Sequence, residues 1–206
     1  MTIINNPLDL FDISDKIVVI GYSGSGKTYF MKKFIEYSNI KPMYIIDPIG
    51  NFSPNPSWKN FDYSGIIPCS YPDDNHICIK MNNTMQFEAL IKYLSYKKGE
   101  WFLVVDEIDR FLDVYPAPYY AKRYLEEGRN YGRGGMFSVR RLGFLNKSIL
   151  SNAHYLVMFK VNNTSDLKYL SSMIDIPINK LNFSRLHSFY VFDLHKSENL
   201  GNYILS

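Results

Sequence analysis

The stretch IVVIGYSGSGKTYF, Ile17 to Phe30, decides the fold that the rest of the chain must accommodate. Its first residues form a short β-branched run typical of a buried strand, and its last residues begin an apolar helical pattern. The segment between them, GYSGSGKT, matches the pattern G-x-x-x-x-G-K-[ST]. A glycine-rich turn between a strand and a helix predicts a cradle of backbone N–H groups, closed by the positive end of the helix.

The residue types in this turn suit a nucleoside triphosphate. Gly24 and Gly26 permit positive φ angles, which let successive N–H groups point at one anion. Lys27 brings a point charge to the β- and γ-phosphates, and Thr28 offers a hydroxyl ligand to Mg²⁺. A plain turn with an exposed lysine is disfavoured, because the motif has the strand and the helix that it requires. The predicted nucleotide-binding residues are Gly21, Tyr22, Ser23, Gly24, Ser25, Gly26, Lys27 and Thr28.

A second motif, WFLVVDEID at residues 101–109, predicts what happens to the nucleotide. Its apolar run ends at Asp106, at the carboxyl end of a strand, where open α/β sheets bind ligands. Asp106 is expected to hold the water shell of Mg²⁺, and Glu107 to align a water molecule against the γ-phosphate. The alternative is a solvated acidic strand end. A carboxylate aimed at water argues against a kinase, and no N-K-x-D motif of a guanine site is present.

Apolar runs alternate with helical patterns along the chain. This alternation predicts an α/β domain with a mostly parallel central sheet flanked by helices. The continuous run FLVV places its strand centrally, with both faces covered. Residues 48–74 hold five prolines and are expected to be irregular. The predicted strands are Lys16–Ile20, Met43–Asp47, His76–Met81, the run from Trp101, Met136–Arg140, Tyr155–Val161 and Phe189–Leu194, and the predicted helices are 28–38, 85–96 after an N-cap at Thr84, 119 to Gly128 or Gly132, and 165–174.

The chain is expected to be one domain, residues 1–206, with an N-terminal arm at 1–15 and C-terminal strands at 176–206. Hydrophobic residues make up 46% of the chain, which supplies a core and argues against disorder. No apolar run approaches the ~20 residues that a membrane helix needs, so no transmembrane segment is expected. The net charge of +3 permits a nucleic-acid partner without arguing for one.

Arginines are concentrated in EEGRNYGRGGMFSVRR, residues 126–141. Hydrolysis of ATP needs a cation against the charge that develops on the γ-phosphate. Arg140 and Arg141 end a strand on the same sheet edge as the cradle, where an arginine can sense that phosphate. Surface ion pairs are the alternative for both. Arg129 and Arg133 flank a helix end, where basic residues also suit the helix dipole.

These segments, taken in order, resemble the HerA/FtsK superfamily of DNA-pumping ATPases. The resemblance spans about residues 15 to 175. It is carried by the first strand and cradle, MYIIDP, WFLVVDEID, EEGRNYGRGGMFSVRR and LSNAHYLVMF. More narrowly, the chain resembles the genome-packaging ATPases of double-jelly-roll viruses with internal membranes. The cradle and the acidic pair are common to P-loop ATPases at large, whereas EGR-x-x-G and the apolar strand after it narrow the family. The resemblance implies a P-loop NTPase fold of the RecA/ASCE type.

The resemblance also implies roles for single residues. Lys27 and Thr28 match the Walker A pair, and Asp106 and Glu107 match Walker B and its catalytic glutamate. Arg129 falls on the arginine that acts on a neighbouring subunit's nucleotide. Arg140 stands where the family usually has a glutamine that senses the γ-phosphate, so it is a second cation or the trans-acting finger itself. Asp47 matches an acidic residue after the second strand, for which a strand-end cap is the alternative.

The implied function is an ATP-hydrolysing motor that translocates double-stranded DNA and packages a viral genome into a preformed capsid. Its cofactors are ATP and Mg²⁺, and its partners are double-stranded DNA, further copies of itself in a hexameric ring, and capsid or inner-membrane vertex proteins. It would act in the host cytoplasm and at the virion vertex during assembly. The alternatives are a cellular HerA/FtsK-type translocase and a non-hydrolysing ATP-dependent switch or scaffold, against which Glu107 argues.

Contact with duplex DNA needs Lys and Arg side chains aimed at phosphates. The alternative for the basic residues is a solvated face, and for the aromatic residues local packing. The candidates are Arg110, Lys122, Arg123 and Arg133, a second basic spot at Lys97 and Lys98, and the aromatic group Tyr115, Tyr119 and Tyr120.

Overall fold

The computed structural model of the chain describes residues 7–52, 59–62, 76–112, 116–173, 178, 181–183 and 187–204. Within these residues, nine strands hydrogen-bond into one sheet. In chain order the strands are β1 (Lys16–Ile20), β2 (Met43–Ile46), β3 (Lys59–Asp62), β4 (His76–Lys80), β5 (Trp101–Val105), β6 (Arg133–Val139), β7 (Tyr155–Met158), β8 (Ser188–Asp193) and β9 (Glu198–Ile204).

The strand order across the sheet is β3-β4-β2-β5-β6-β1-β7-β8-β9. Strands β1 to β7 pair in parallel, and β8 and β9 extend one edge in antiparallel fashion. Every residue of β1, β2 and β5 is buried, as expected for strands covered on both faces. The α/β fold with a mostly parallel central sheet is therefore confirmed.

Helices cover both faces of the sheet. The helix face predicted after the cradle, with Phe30, Met31, Phe34 and Ile35, is buried against one face. The other face is covered by apolar residues that include Phe87, whose ring stacks on Phe111. Within the described residues the helices are α1 (Lys27–Tyr37), α2 (Thr84–Tyr96), α3 (Tyr119–Glu127), α4 (Lys147–Ser151) and α5 (Thr164–Met173). None of them combines the length and the hydropathy that crossing a bilayer requires.

Three sequence expectations about local structure are wrong. The N-cap of α2 is Asn83, whose side chain accepts the Gln86 N–H at 2.9 Å, and not Thr84. Strand β6 begins at Arg133, because Gly134 and Gly135 pair with β5 although they carry no apolar side chain. The segment 48–74, expected to be irregular, contains β3, which pairs with β4 at the sheet edge.

The bounds of other elements were not predicted because these elements carry weak apolar patterns. Strand β9 has no buried residue in Glu198–Ile204, yet it pairs with β8 along its length. The short helix α4 begins directly after Asn146, whose side chain caps it by accepting the Ser148 N–H at 3.0 Å. Strands β2, β4 and β7 end one to three residues before their predicted ends. Here tertiary pairing, and not local pattern, determines the element.

His154 lies at the amino-terminal edge of the sheet, away from the cradle. Its Nδ1 accepts the Lys16 N–H at 2.8 Å, which keeps the ring neutral with the proton on Nε2. Burial, reinforced by the nearby Arg129, lowers the pKa of His154 to about 4. The ring also stacks on His195, with centroids 4.9 Å apart. The hydrogen bond from Lys16 thus joins the start of β1 to the residue before β7.

Acidification from pH 6.5 to pH 4 is expected to destabilise the protein by roughly 2–3 kcal/mol through His154. In this window the unfolded imidazole binds a proton while the folded one stays neutral, so the contribution is complete above pH 6.5 and lost on approaching pH 4. Urea unfolding between pH 4 and pH 8 measures it. The variant His154→Asn retains an acceptor for the Lys16 N–H but does not titrate, and its profile should be flatter. Equal pH slopes for both proteins would contradict the assignment.

Candidate nucleotide-binding site

The predicted cradle follows β1 at the carboxyl edge of the parallel strands. Gly24 and Gly26 have φ angles of +83° and +109°, the left-handed region in which glycine carries no steric cost. Gly26 is the N-cap of α1, so the first turn of that helix opens toward the loop. Its N–H groups have no intrahelical acceptors, as in every helix N-terminus. The loop therefore has the geometry of an anion site.

Lys27 is buried at the centre of this loop, with 7% of its surface exposed. Its Nζ donates to the carbonyl oxygens of Gly21 at 2.7 Å and Tyr22 at 3.1 Å. Burial lowers the pKa of Lys27, while the charges of Asp106 and Glu107 act in the opposite direction. The ammonium group thus folds back onto the start of its own loop.

Two features of the loop fit a bound phosphate chain. Ser25 Oγ is buried and has no hydrogen-bond partner among the described residues. A Cβ on Gly21 would lie 2.5 Å from Ser25 Oγ and 2.6 Å from Phe159 Cβ, so the backbone approaches its neighbours too closely for any other residue. Thr28 is partly buried in the first turn of α1, where its hydroxyl is a suitable ligand for Mg²⁺.

Asp106 follows β5 directly and is almost completely buried. Its Oδ1 accepts a hydrogen bond from Ser138 Oγ at 2.5 Å, and its Oδ2 accepts one from Asn51 Nδ2 at 3.0 Å. Asn51 is presented by a tight turn in which Asp47 accepts three backbone N–H bonds, from residues 50, 51 and 52. The contacts of Asp47 are those of a strand-end cap, which was the alternative for this residue.

Glu107 has a φ angle of +54°, which is rare for a residue with a side chain and costs about 1–3 kcal/mol. Its N–H donates to Ser138 Oγ at 2.8 Å. Its carboxylate forms ion pairs with Arg110 and with Arg140, whose Nε lies 3.4 Å from Oε1. Strained backbone of this kind is concentrated at functional sites. The catalytic glutamate predicted from the sequence is thus held at the site edge by two arginines.

A cavity of about 510 Å³ opens beside the cradle. Its lining includes the first three residues of the loop, residues 21–23, together with Arg140, Arg141 and Asp109. Burial raises the pKa of Asp109, which lies 3.8 Å from Arg140 Nε. The volume is in the range of small-molecule sites. The remaining lining residues come from the loop after β7 and the start of α5: Val161, Asn162, Asn163 and Asp166.

Arg129 lies away from this cavity. It is exposed in a short 3-10 helix, Gly128–Tyr131, before β6, whereas Arg140 follows the end of β6. The seven residues of β6 span roughly 23 Å. The structure therefore brings Arg140 to the cradle of its own chain and does not bring Arg129 there.

The basic residues considered for DNA contact divide into two groups. Arg133 donates to the carbonyl oxygens of Ser95 and Lys97, and Lys97 Nζ donates to Tyr44 Oη at 2.7 Å, so both have structural partners. The second group is exposed: Lys98 is at the surface, and Lys122 and Arg123 pair with acidic residues one turn along α3. Of the aromatic candidates, Tyr119 is 66% exposed and packs on Tyr120. Tyr115 lies outside the described residues.

Ser138 and Asn51 are site residues that the sequence did not reveal. Both side chains contact Asp106. Asn51 stands three residues after a proline, and Ser138 lies inside an apolar strand, so neither has the sequence context of a site residue. The one available signal for Ser138 is alternation. Ser138 lies two residues before Arg140, so a strand predicted to run through both would place their side chains on one face, although β6 ends at Val139.

No protein-family model and no curated protein matches the sequence. The genome packaging NTPase B204 from Sulfolobus turreted icosahedral virus 2, in complex with AMPPCP, matches with a TM-score of 0.76 at 20% identity, over 95% of this chain and 100% of that chain. The chain has the fold of B204.

Other solved structures support the same fold. B204 from Sulfolobus turreted icosahedral virus, described as a DNA-packaging ATPase, matches with a TM-score of 0.75 at 21% identity, over 95% of this chain and 100% of that chain. The N-terminal domain of zonular occludens toxin from Neisseria meningitidis matches less well, with a TM-score of 0.54 at 12% identity, over 93% and 95% of the two chains. The resemblance predicted from the sequence is thus confirmed as a likeness of fold to B204.

Substitution of Gly21 by Ala is expected to weaken ATP binding roughly tenfold or more, because the new methyl group displaces the loop by a sizeable fraction of an ångström. Titration with a fluorescent ATP analogue measures the affinity. The matched control is Gly143→Ala, at a glycine where an added Cβ meets nothing within 4 Å. Equal affinities for the two variants would show that the close approach at Gly21 does not shape the site.

Proposed function

We propose that the chain is an ATP-hydrolysing motor that translocates double-stranded DNA and packages a viral genome into a preformed capsid. One observation carries the proposal: the Lys27 cradle and the Asp106–Glu107 pair meet at one sheet edge, in a chain that spans the full length of the DNA-packaging ATPase B204. A cradle with a water-aligning carboxylate suits hydrolysis of ATP more than storage of it.

In this proposal the residues of the site divide the chemistry. Lys27 leaves the carbonyl oxygens of its own loop and contacts the β- and γ-phosphates. Thr28 and Asp106 would hold Mg²⁺, which, when bound, offsets negative charge on the phosphate oxygens. Glu107 aligns the attacking water. Arg140 contributes a further cation at the cavity mouth, where the family pattern has a glutamine.

Glu107 must change partners for this to happen. Its carboxylate is engaged by Arg110 and Arg140, which leaves little of it to accept a proton from water. A γ-phosphate in the cavity would compete with Glu107 for Arg140, because the phosphate and the Glu107 carboxylate are both negatively charged. Binding of the substrate then frees the carboxylate that hydrolysis needs.

The proposal includes a homo-oligomeric ring, as the family resemblance implies a hexamer. Arg129 is exposed before β6, at the end of the sheet opposite the cradle. Its guanidinium would therefore act on the nucleotide of a neighbouring subunit and not on that of its own chain. Double-stranded DNA would pass the exposed basic residues of α3. Capsid or inner-membrane vertex proteins complete the list of partners, in the host cytoplasm and at the virion vertex.

The carboxylate of Glu107 distinguishes hydrolysis from binding alone. Glu107→Gln is expected to retain ATP while lowering kcat by about 10²–10⁴-fold, because the amide cannot accept the proton of water. Lys27→Ala is expected to weaken ATP binding itself. Phosphate release with and without duplex DNA, alongside nucleotide titrations, measures both. Wild-type protein that hydrolyses ATP no faster than Glu107→Gln would leave the non-hydrolysing switch or scaffold as the better explanation.

Mixed rings test whether Arg129 acts on the neighbour. Arg129→Ala subunits retain their own Glu107, and Glu107→Gln subunits retain their arginine, so each protein alone should be inactive. In an equal mixture about a quarter of the sites combine an intact Glu107 with an intact Arg129 from the neighbour, and that share of activity should return. Lys196→Ala, which removes an exposed cation of another ion pair, is the control. Mixtures that stay inactive would assign Arg129 a role within its own chain.

A further inference from the structure

Ser138 lies between the two motifs of the candidate site. Strand β6 is hydrogen-bonded to β1 on one side and to β5 on the other. The register places Ser138 opposite Val19 of β1, just before the cradle. On the other side the last pair is Val105 with Phe137, so Ser138 is level with Asp106, the next residue of the chain. Its side chain is completely buried.

The hydroxyl of Ser138 has two partners, and their chemistry fixes its direction. The Glu107 N–H can act only as a donor, so Ser138 Oγ accepts from it at 2.8 Å. The single hydroxyl hydrogen is then given to Asp106 Oδ1, at 2.5 Å. A hydrogen bond to a carboxylate is stronger than one between neutral groups. One buried hydroxyl thus connects the metal-binding acid to the backbone of the catalytic glutamate.

The Ser138 hydroxyl has a different effect on each of its two partners, Asp106 and Glu107. Asp106 Oδ2 is held by Asn51, so the Ser138 bond to Oδ1 completes the orientation of the carboxylate. Glu107 adopts a positive φ that its side chain disfavours, and the bond to its N–H stabilises that conformation. Loss of the hydroxyl would leave a buried carboxylate oxygen and a peptide N–H without this partner.

We propose that Ser138 is a positioning residue for the ATPase reaction, which orients Asp106 toward the metal and fixes the backbone from which Glu107 reaches water. The proposal rests on the proposed ATPase function. It predicts that one substitution alters both metal affinity and turnover, while the phosphate cradle, which Ser138 does not contact through its side chain, continues to bind nucleotide.

The test compares Ser138→Ala with Ser138→Thr, which restores a hydroxyl. Orienting partners of metal ligands typically contribute about 10–100-fold to metal affinity or activity. We expect Ser138→Ala to lower kcat by about tenfold or more and to raise the half-saturating Mg²⁺ concentration, with KM for ATP changed less than about threefold. Ser138→Thr should recover most of both. If Ser138→Ala does not fold, Ser138→Cys keeps the volume with a weak donor and carries the same expectation.

The control is Met136→Val, which removes volume from a buried apolar side chain on the same face of β6 as Ser138. It should lower thermal stability without changing the Mg²⁺ dependence. Loss of metal affinity in Met136→Val equal to that in Ser138→Ala would reduce Ser138 to a packing role and overturn the proposal, as would unchanged kcat and Mg²⁺ dependence in Ser138→Ala.

A second readout does not depend on turnover. Electron paramagnetic resonance measures Mn²⁺ binding in the presence of a non-hydrolysable ATP analogue, and Ser138→Ala should weaken it by about tenfold. If wild-type protein shows no ATPase activity, the proposed function fails. The Mn²⁺ measurement still decides on Ser138, because equal Mn²⁺ affinity in wild type and Ser138→Ala overturns its positioning role.

Discussion

The parallel pairing of β6 with both β1 and β5 sets the distance between the two halves of the candidate site. The cradle leaves β1, the acidic pair leaves β5, and β6 separates them by one strand on each side. Neighbouring strands lie about 4.8 Å apart, so the loop and the acids face each other across about 10 Å. That gap suits a phosphate chain with its metal. Burial of all three strands in the sheet interior prevents it from varying.

Charge balance is the second constraint on the site. Lys27 and Asp106 are both buried, and neither would be stable alone in that environment. Lys27 is satisfied by two loop carbonyls and by the field of the nearby acids, and Asp106 by two neutral donors. Arg110 and Arg140 neutralise Glu107 at the more exposed rim. The buried Asp106 thus has neutral hydrogen-bond donors, whereas Glu107 at the rim is paired with cations.

Local patterns in the sequence were sufficient for the central strands, the cradle and the acidic pair. The run FLVV has no polar interruption because both faces of β5 are covered, and GYSGSGKT contains its own chemistry in consecutive residues. C-terminal strands were expected in 176–206, but β9 was not located there because an exposed edge strand needs no buried residues. Strand β6 was predicted too short because backbone pairing, not side chains, holds Gly134 and Gly135.

Contacts between distant segments are what the sequence did not reveal. Ser138 and Asn51 meet Asp106 only because the strand register and the Asp47 turn bring them there. A lone serine in an apolar strand looks like an ordinary core residue. The location of Arg129 also became clear only from the sheet. Arg129 and Arg140 are eleven residues apart in sequence, and the length of β6 between them places them at opposite ends of that strand.

The alternation of side chains along β6 also limits how this strand can change. Side chains on a strand repeat every two residues, so inserting or deleting one residue would transfer everything beyond that point to the other face. Ser138 would then leave Asp106, while a change two residues long would preserve its face but shift its level along the strand. Strand β6 is therefore a segment in which single-residue length variation is incompatible with the site.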